Sequence, residues 1–158
     1  IEAFEMLKNT LKWRKENKID SILDEKDDQT DHLDPVVYED GHDREGHPIC
    51  YNVYGMLGFD KAADKMLGDE EKRERFMRWR IRKMEKCVIE QLDFNPGGTC
   101  EILQINDLKN TPLPTKKEVR LATRRVVEVL QDNYPEFVYT NVSLIYTHFL
   151  FVLISYFV

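Results

Sequence analysis

Apolar residues recur every three or four positions in three segments of the chain, residues 2–17, 69–93 and 115–132. This spacing places them on one face of a helix, so each segment is predicted to be an amphipathic helix. Acidic residues open the second segment, where they suit the positive N-terminal end of a helix. The apolar stripes are Ala3, Phe4, Leu7 and Leu11 in the first segment, Met77, Ile81, Met84, Val88 and Leu92 in the second, and Val119, Thr123, Val126 and Leu130 in the third.

Shorter segments between these helices have the composition of β-strands. Residues 36–54 predict two strands around a turn at 40–48, whose glycines permit positive φ. Residues 99–106 predict a third strand, which Asp107 closes. The acidic residues 24–34 predict a solvated loop. The order of helices and strands therefore predicts an α/β domain with a sheet covered by helices.

The two ends of the sequence differ from the rest. The chain opens on Ile1 without a capping residue, which predicts a start inside a longer parent chain. Residues 141–158 contain no Asp, Glu, Lys or Arg, and Thr147 and His148 lie inside this apolar run. The run is at the lower edge of the length that spans a bilayer as a helix, and as an extended segment it has the composition of an aggregating strand. We expect aggregation or degradation more than orderly insertion, and membrane association through the tail is the alternative.

Composition limits the classes of partner. A length of 158 residues fits one domain, and a formal net charge of −6 argues against general nucleic-acid binding. Three cysteines without CxxC spacing favour a reducing cytosol over a disulfide framework. The basic faces of the two later helices are either solvated surface or a contact for acidic membranes. The residues selected for membrane contact are Arg78, Arg82, Lys117 and Arg124.

Candidate catalytic and metal-binding motifs are weak. His42 and His47 lie near acidic residues, but their segment is predicted to be a turn, so turn chemistry is the preferred interpretation over a metal site. No phosphate-binding loop or nucleophile elbow occurs, and Asp107 is a lone carboxylate at a strand end. The sequence therefore predicts a binding domain that is not an enzyme and needs no cofactor or metal.

Several segments, in order, resemble the CRAL-TRIO lipid-binding family and within it the plant patellin type. The stretch from Ala3 to Lys15 resembles the last helix of the family's N-terminal segment. Residues 41–48 and 51–55 resemble the opening strands of the lipid-binding domain, and residues 92–98 and 106–110 continue the match. The most specific stretch reads Leu130, Gln131, Asp132, Asn133, Tyr134, Pro135, Glu136, Phe137 and Val138.

The resemblance implies a CRAL-TRIO-like fold, with a sheet floor, helices on one side and an apolar cavity for one lipid. It divides the chain into the end of the N-terminal helical segment with its acidic loop at 1–34, the N-terminal part of the lipid-binding domain at 35–138, and an aberrant hydrophobic tail at 139–158. The fold is expected to be incomplete, because the family's gating helix, later pocket strands and a GOLD domain have no counterpart here.

The resemblance also implies a function. The complete parent domain is expected to bind a phospholipid or phosphoinositide, to act in membrane trafficking and cell-plate formation, and to be cytoplasmic and peripheral to membranes. Tyr51 and Val53, then Ile102 and Gln104, correspond to strands that line the family's cavity. Ile102 and Gln104 replace hydroxyl residues, which argues against recognition of a choline-type headgroup. The alternatives are a protein-interaction module, whose partner the sequence does not name, and a membrane-anchored, non-functional remnant held by the tail.

Overall fold

The computed structural model describes residues 2–25, 30–57, 66–111, 117–146 and 151–156. Within these residues there are three α-helices and five strands, and the five strands form one sheet. The elements are α1 (Glu2–Glu16), β1 (Val37–His42), β2 (Pro48–Val53), α2 (Glu70–Gln91), β3 (Ile102–Asp107), α3 (Lys117–Asn133), β4 (Val138–Tyr146) and β5 (Phe151–Tyr156). Short 3-10 helices span Ile19–Asp24, Asp31–Val36 and Tyr54–Leu57.

The order and direction of the strands determine on which face of the sheet the connecting helices lie. Its strand order is β1-β2-β3-β4-β5, with β2, β3 and β4 parallel and both outer pairs antiparallel. Helix α2 connects β2 to β3, and α3 connects β3 to β4. Two right-handed crossovers that move in the same direction along a sheet place their helices on the same face. The predicted α/β fold is therefore confirmed, including the placement of helices on one side of the sheet.

The longest helix, α2, begins where its sequence predicts. The residues that it buries differ from the predicted apolar stripe. The side chain of Asp69 accepts a hydrogen bond from the Lys72 N–H at 2.9 Å, which caps the first turn. The predicted stripe contains two buried residues, Ile81 and Met84. It omits the most deeply packed group, since Phe76, Trp79 and Cys87 are also buried.

The turn between β1 and β2 follows the predicted chemistry. Gly41 and Gly46 have φ values of 72° and 94°, which glycine adopts without a steric cost. Asp43 Oδ1 accepts hydrogen bonds from the backbone N–H groups of Glu45 and His47, each at 2.8 Å. The polar residues in this segment therefore stabilise a turn.

The acidic segment at 24–34 is only partly a solvated loop. Residues 26–29 lie outside the described residues, but Asp31–Val36 is a 3-10 helix that leads into β1. Leu33 is 3% exposed and Thr30 is 2% exposed. The prediction of a solvated loop is wrong for these residues, because Leu33 packs into the main core and anchors the segment.

Much of the predicted tail lies in the sheet. Strand β4 pairs with β3 on one side and with β5 on the other, so Ile105 lies beside Val142, and Val142 beside Ser155. The N–H of Leu108 donates to the carbonyl of Leu144 at 3.1 Å. The described parts of the tail are extended, whereas the predicted interruption at Thr147 and His148 lies outside the described residues. The boundary at Val138 stays a prediction.

Two clusters of apolar side chains hold the layers together. The larger one joins residues of the sheet to residues of helices α2 and α3, for example Val37, Trp79 and Val126. The smaller one consists of Ile19, Ile22, Ile81 and Val129, and it fastens the first 3-10 helix to α2 and α3.

Candidate functional site

A cavity of about 550 Å³ lies between the sheet and helices α2 and α3. Its volume is in the range of pockets that hold small ligands. Alternate residues of β1, β2 and β3 form its floor, as the two-residue period of a strand requires, whereas β4 departs from alternation where its register with β3 shifts after Val138. Its lining includes Val37 and Glu39 of β1, Cys50 and Asn52 of β2, Ile102, Gln104 and Asn106 of β3, and Val138 and Asn141 of β4.

The helices give the cavity an apolar wall. Trp79 and Met84 of α2 and Val126 of α3 are buried and line the cavity. Phe76 packs on Trp79 with ring centroids 5.6 Å apart. Such a wall removes apolar ligand surface from water, at about 25 cal/mol per Å². The arrangement suits an aliphatic or aromatic ligand more than a polar metabolite.

The floor of the cavity carries a polar strip made of side-chain amides. Asn52 Nδ2 donates to Asn106 Oδ1 at 3.0 Å, and Gln104 Nε2 donates to the same oxygen at 3.3 Å. Asn141 lies beside Gln104 in the parallel register. An amide offers two donors and an acceptor, so the strip has hydrogen-bonding capacity beyond these two bonds. The cavity is therefore amphipathic, with an apolar wall on the helices and a partly polar floor on the sheet.

A buried ion pair fastens α1 to the rest of the domain. Arg14 of α1 donates to both carboxylate oxygens of Glu85 of α2, at 2.7 and 3.0 Å. Glu85 is 4% exposed and also accepts from the hydroxyl of Tyr134, which lines the cavity. Burial and the neighbouring Glu85 raise the pKa of Tyr134, so its hydroxyl stays protonated and donates. The side chain of Trp13 meets Tyr134 edge to face, with centroids 6.1 Å apart.

Sequence reasoning missed this ion pair, although one signal was present. Glu85 is four residues after Ile81, so it interrupts the apolar stripe with a charge. A charge on a buried face needs a partner. Its partners are 71 and 49 residues away in the sequence, so the pattern within α2 does not identify them.

The four residues selected for lipid contact lie on two sides of the sheet. Ile102 and Gln104 line the cavity, as expected for cavity strands. Tyr51 and Val53 alternate with the cavity-lining Cys50 and Asn52, and therefore belong to the opposite face. On that face Tyr51 stacks on Tyr38 with centroids 5.1 Å apart. Lipid contact stays a prediction for all four residues.

The four residues selected for membrane contact also divide into two pairs. Arg78 donates to Glu25 Oε2 at 2.9 Å, and Arg82 donates to the Glu25 carbonyl at 3.0 Å. These two arginines hold the segment after α1 against α2. By contrast, Arg124 is an exposed residue of α3 paired with Glu128, and Lys117 is exposed at the start of the same helix. Contact of any of the four with a membrane stays a prediction.

His47 and the two cavity thiols, Cys50 and Cys87, have surroundings that fit a structural role. Among the described residues no cluster of His, Cys, Asp and Glu has the geometry of a metal site. His47 instead contacts Asp43 at 2.9 Å and stacks on Tyr139. Cys50 and Cys87 line the cavity, but burial raises the pKa of both thiols, that of Cys87 to about 12. Protonated thiols are poor nucleophiles.

Comparison with known proteins identifies the family. The family model described as the CRAL/TRIO domain matches residues 34–148 of the chain. The chain belongs to the CRAL/TRIO domain family. The match confirms the resemblance found in the sequence, and it extends ten residues past Val138.

The chain is also similar to plant patellins along most of its own length. It is 55% identical to Patellin-3 of Arabidopsis thaliana over 138 residues, which are 87% of the chain and 28% of that protein. It is 53% identical to Patellin-5 of the same plant over 137 residues, 87% of the chain and 20% of that protein. The phosphatidylinositol transfer protein SFH5 of Meyerozyma guilliermondii is 31% identical over 147 residues, 89% of the chain and 44% of that protein.

A solved structure supports the fold independently. The crystal structure of Sfh5 superposes with a TM-score of 0.71 at 24% identity, covering 88% of the chain and 47% of that structure. The chain thus spans less than half the length of each relative named above. Within the described ranges, no helix combines the length and apolar character needed to cross a bilayer.

Proposed function

We propose that the chain supplies the lipid-binding cavity of a non-enzymatic CRAL/TRIO protein. The observation that carries the proposal is the cavity of about 550 Å³, with an apolar wall on the helices and an amide strip on the floor. Acyl chains would lie against Met84 and Val126, and a polar headgroup would reach the amides. A phosphatidylinositol transfer protein among the relatives supports a phospholipid or phosphoinositide as the ligand.

The cellular role in the proposal rests on the patellin similarity. We place the parent protein in the cytoplasm, peripherally associated with membranes, where it acts in membrane trafficking and cell-plate formation. The similarity to two patellins over 87% of the chain supports this role.

Lipid extraction tests whether the cavity is the binding site. The chain is incubated with sedimentable vesicles that contain fluorescent phosphatidylinositol, and the lipid that stays with the protein after centrifugation is measured. Thr123 lines the cavity, so Thr123→Trp should fill it and reduce uptake to background. Leu121 is 55% exposed on the same helix, so Leu121→Trp should leave uptake unchanged. Equal uptake by both variants would place the lipid elsewhere, and no uptake by the wild-type chain would contradict the proposed function.

The contact with acidic membranes is a separate part of the proposal. Lys117 and Arg124 are exposed, so replacing both with Gln should weaken binding to anionic vesicles, more at low salt than at about 0.5 M, where charges are screened within a few ångströms. Replacing Arg78 and Arg82 with Gln should lower stability first, because both make contacts within the domain. Unchanged vesicle binding by the Lys117/Arg124 variant would make these residues ordinary solvated surface.

A protein-interaction module is the second candidate function. The observation that favours it is the apolar face of α1, where Phe4, Leu7 and Leu11 are 67%, 58% and 58% exposed. Partner binding by a chain that extracts no lipid would favour this candidate, and lipid uptake blocked by Thr123→Trp would favour the first.

A further inference from the structure

One cation of α2 differs from all its neighbours. The helix carries eight Lys and Arg residues, and seven of them have an acidic partner within 4 Å or a hydrogen bond to a protein oxygen. Arg80 is the exception, since it has neither an ion pair nor a hydrogen bond within the described parts of the chain. It is nevertheless half-buried and lines the cavity. Its charge therefore has no partner among the described residues, in a partly desolvated position where a ligand with an anionic group would compensate it.

The surroundings of Arg80 show where its charge acts. Burial raises the pKa values of Cys50, Tyr54 and Cys87, and the positive charge of Arg80 opposes that rise in all three. All three residues line the same cavity, Cys50 from β2, Tyr54 from the 3-10 helix after it and Cys87 from α2, so Arg80 lies near this part of the lining, which we call the β2 and α2 end. Lys83 lines this end as well, but it is held by Asp34 at 2.9 Å. Glu39 is the lining carboxylate of β1, and no ion pair joins it to Arg80 among the described residues.

An arginine in this position has a specific chemical preference. The guanidinium presents five donors in a planar fork that matches the oxygens of a phosphate or carboxylate. The apolar wall formed by Met84, Val126 and Leu130 lies in the same cavity. A ligand that satisfies both must carry an anionic oxygen group and an aliphatic part in one molecule.

We infer that Arg80 binds the phosphate group of a phospholipid inside the cavity, and thereby selects phospholipids over uncharged lipids with the same acyl chains. The inference rests on the proposed lipid-binding function and adds the residue that determines selectivity and the orientation of the ligand. The phosphate lies at the β2 and α2 end of the cavity, and the acyl chains extend along the wall formed with α3.

Isothermal titration of the full chain with three soluble probes tests the inference. Short-chain phosphatidic acid carries both chemical groups, the matching short-chain diacylglycerol lacks the phosphate, and inorganic phosphate lacks the chains. The wild-type chain should bind phosphatidic acid about tenfold or more tighter than diacylglycerol, because a charge-assisted hydrogen bond is worth about a factor of ten or more. It should also bind phosphatidic acid more tightly than inorganic phosphate, because only the lipid buries acyl chains in the cavity. Equal affinity for phosphatidic acid and diacylglycerol would overturn the inference. Inorganic phosphate binding as tightly as the lipid would show that the site takes a free anion.

Two variants separate the role of Arg80 from the loss of any positive charge. Arg80→Gln should abolish the preference for phosphatidic acid while diacylglycerol binding is retained. Arg75→Gln removes the same charge from the same helix, where Arg75 pairs with Glu71, and should keep the preference. If Arg80→Gln loses its fold, Arg80→Lys keeps the charge without the planar fork and should show a reduced preference. An unchanged preference in the folded Arg80 variants would contradict the inference, whereas failure of every lipid to bind the wild-type chain would contradict the proposed function itself.

Discussion

Two charged residues of α2, Glu85 and Arg80, are both shielded from solvent, but they differ in whether the protein supplies a partner for their charge. Glu85 is 4% exposed and has partners on two other elements, Arg14 of α1 and Tyr134 after α3. Arg80 is half-buried at the cavity, and no described residue supplies it with a partner. The first charge is part of the architecture, and the second is available to a ligand. Burial alone therefore does not distinguish a structural charge from a functional one, whereas the presence of a protein partner does.

Removal of Glu85 should have the largest effect. Glu85→Ala removes the buried partner of Arg14 and the acceptor of the Tyr134 hydroxyl, while Arg14 keeps its exposed partner Asp20, and we expect the free energy of unfolding to fall by about 3 kcal/mol. Urea denaturation followed by circular dichroism measures it. Glu128→Ala is the matched control, because it breaks an exposed pair with Arg124 and should cost less than about 1 kcal/mol. Similar losses in both variants would show that the buried pair stabilises the fold no more than the exposed pair does.

Removal of both partners should cost less than removal of one. We expect Arg14→Met combined with Glu85→Leu to lower the free energy of unfolding by about 1 to 2 kcal/mol, since no buried charge is left unpaired. The same denaturation experiment applies. A double variant as unstable as Glu85→Ala would mean that the attraction between Arg14 and Glu85, and not the loss of the buried partner of Arg14, dominates the change in stability.

The pair between Arg78 and Glu25 should contribute an intermediate, pH-dependent effect. The hydrogen bond from Arg78 lowers the pKa of Glu25 below its ordinary value of 4.5. Its stabilisation is therefore present above that value and is lost as the pH falls through the lower pKa of the folded state. Because Glu25 is partly exposed, we expect less than about 1 kcal/mol. Unfolding of the wild-type chain and of Glu25→Gln at neutral and acidic pH should converge on acidification, and parallel curves would contradict the assignment.

Replacement of Arg80 should have the smallest effect on stability. Arg80→Gln removes no hydrogen bond or ion pair recorded among the described residues, so we expect the free energy of unfolding to change by less than about 0.5 kcal/mol. Thermal and urea denaturation beside the wild-type chain measure the difference. A loss above about 1.5 kcal/mol would give Arg80 a structural role and erase its contrast with Glu85.

The helices were predictable because their signals are local. Asp69 and the acidic first turn mark the start of α2 within a few residues, and the glycines at 41 and 46 mark the turn before β2. The family followed from segments in the right order, which needs no knowledge of contacts. The fold class could thus be obtained from periodicity, caps and resemblance.

The site was less predictable because its residues meet across distant elements. In β2, alternation separates Tyr51 and Val53 from Cys50 and Asn52, but both sets contain residues that suit a half-buried strand. The face that the cavity uses depends on where α2 and α3 pack. The sequence also does not show that Arg80 lacks a partner among the described residues, because the same helix contains seven other cations with similar flanking residues.

The placement of β3 between two parallel neighbours also has a kinetic consequence. Its register with β2 pairs residues such as Asn52 and Asn106, which are 54 positions apart, and its pairing with β4 spans the whole of α3. Each ladder can close only after a long crossover has collapsed, and such non-local pairing folds slowly. Until then both edges of Ile102–Asp107 offer unpaired backbone groups to other chains. Refolding yield should therefore depend on protein concentration even though the native sheet covers this strand on both sides.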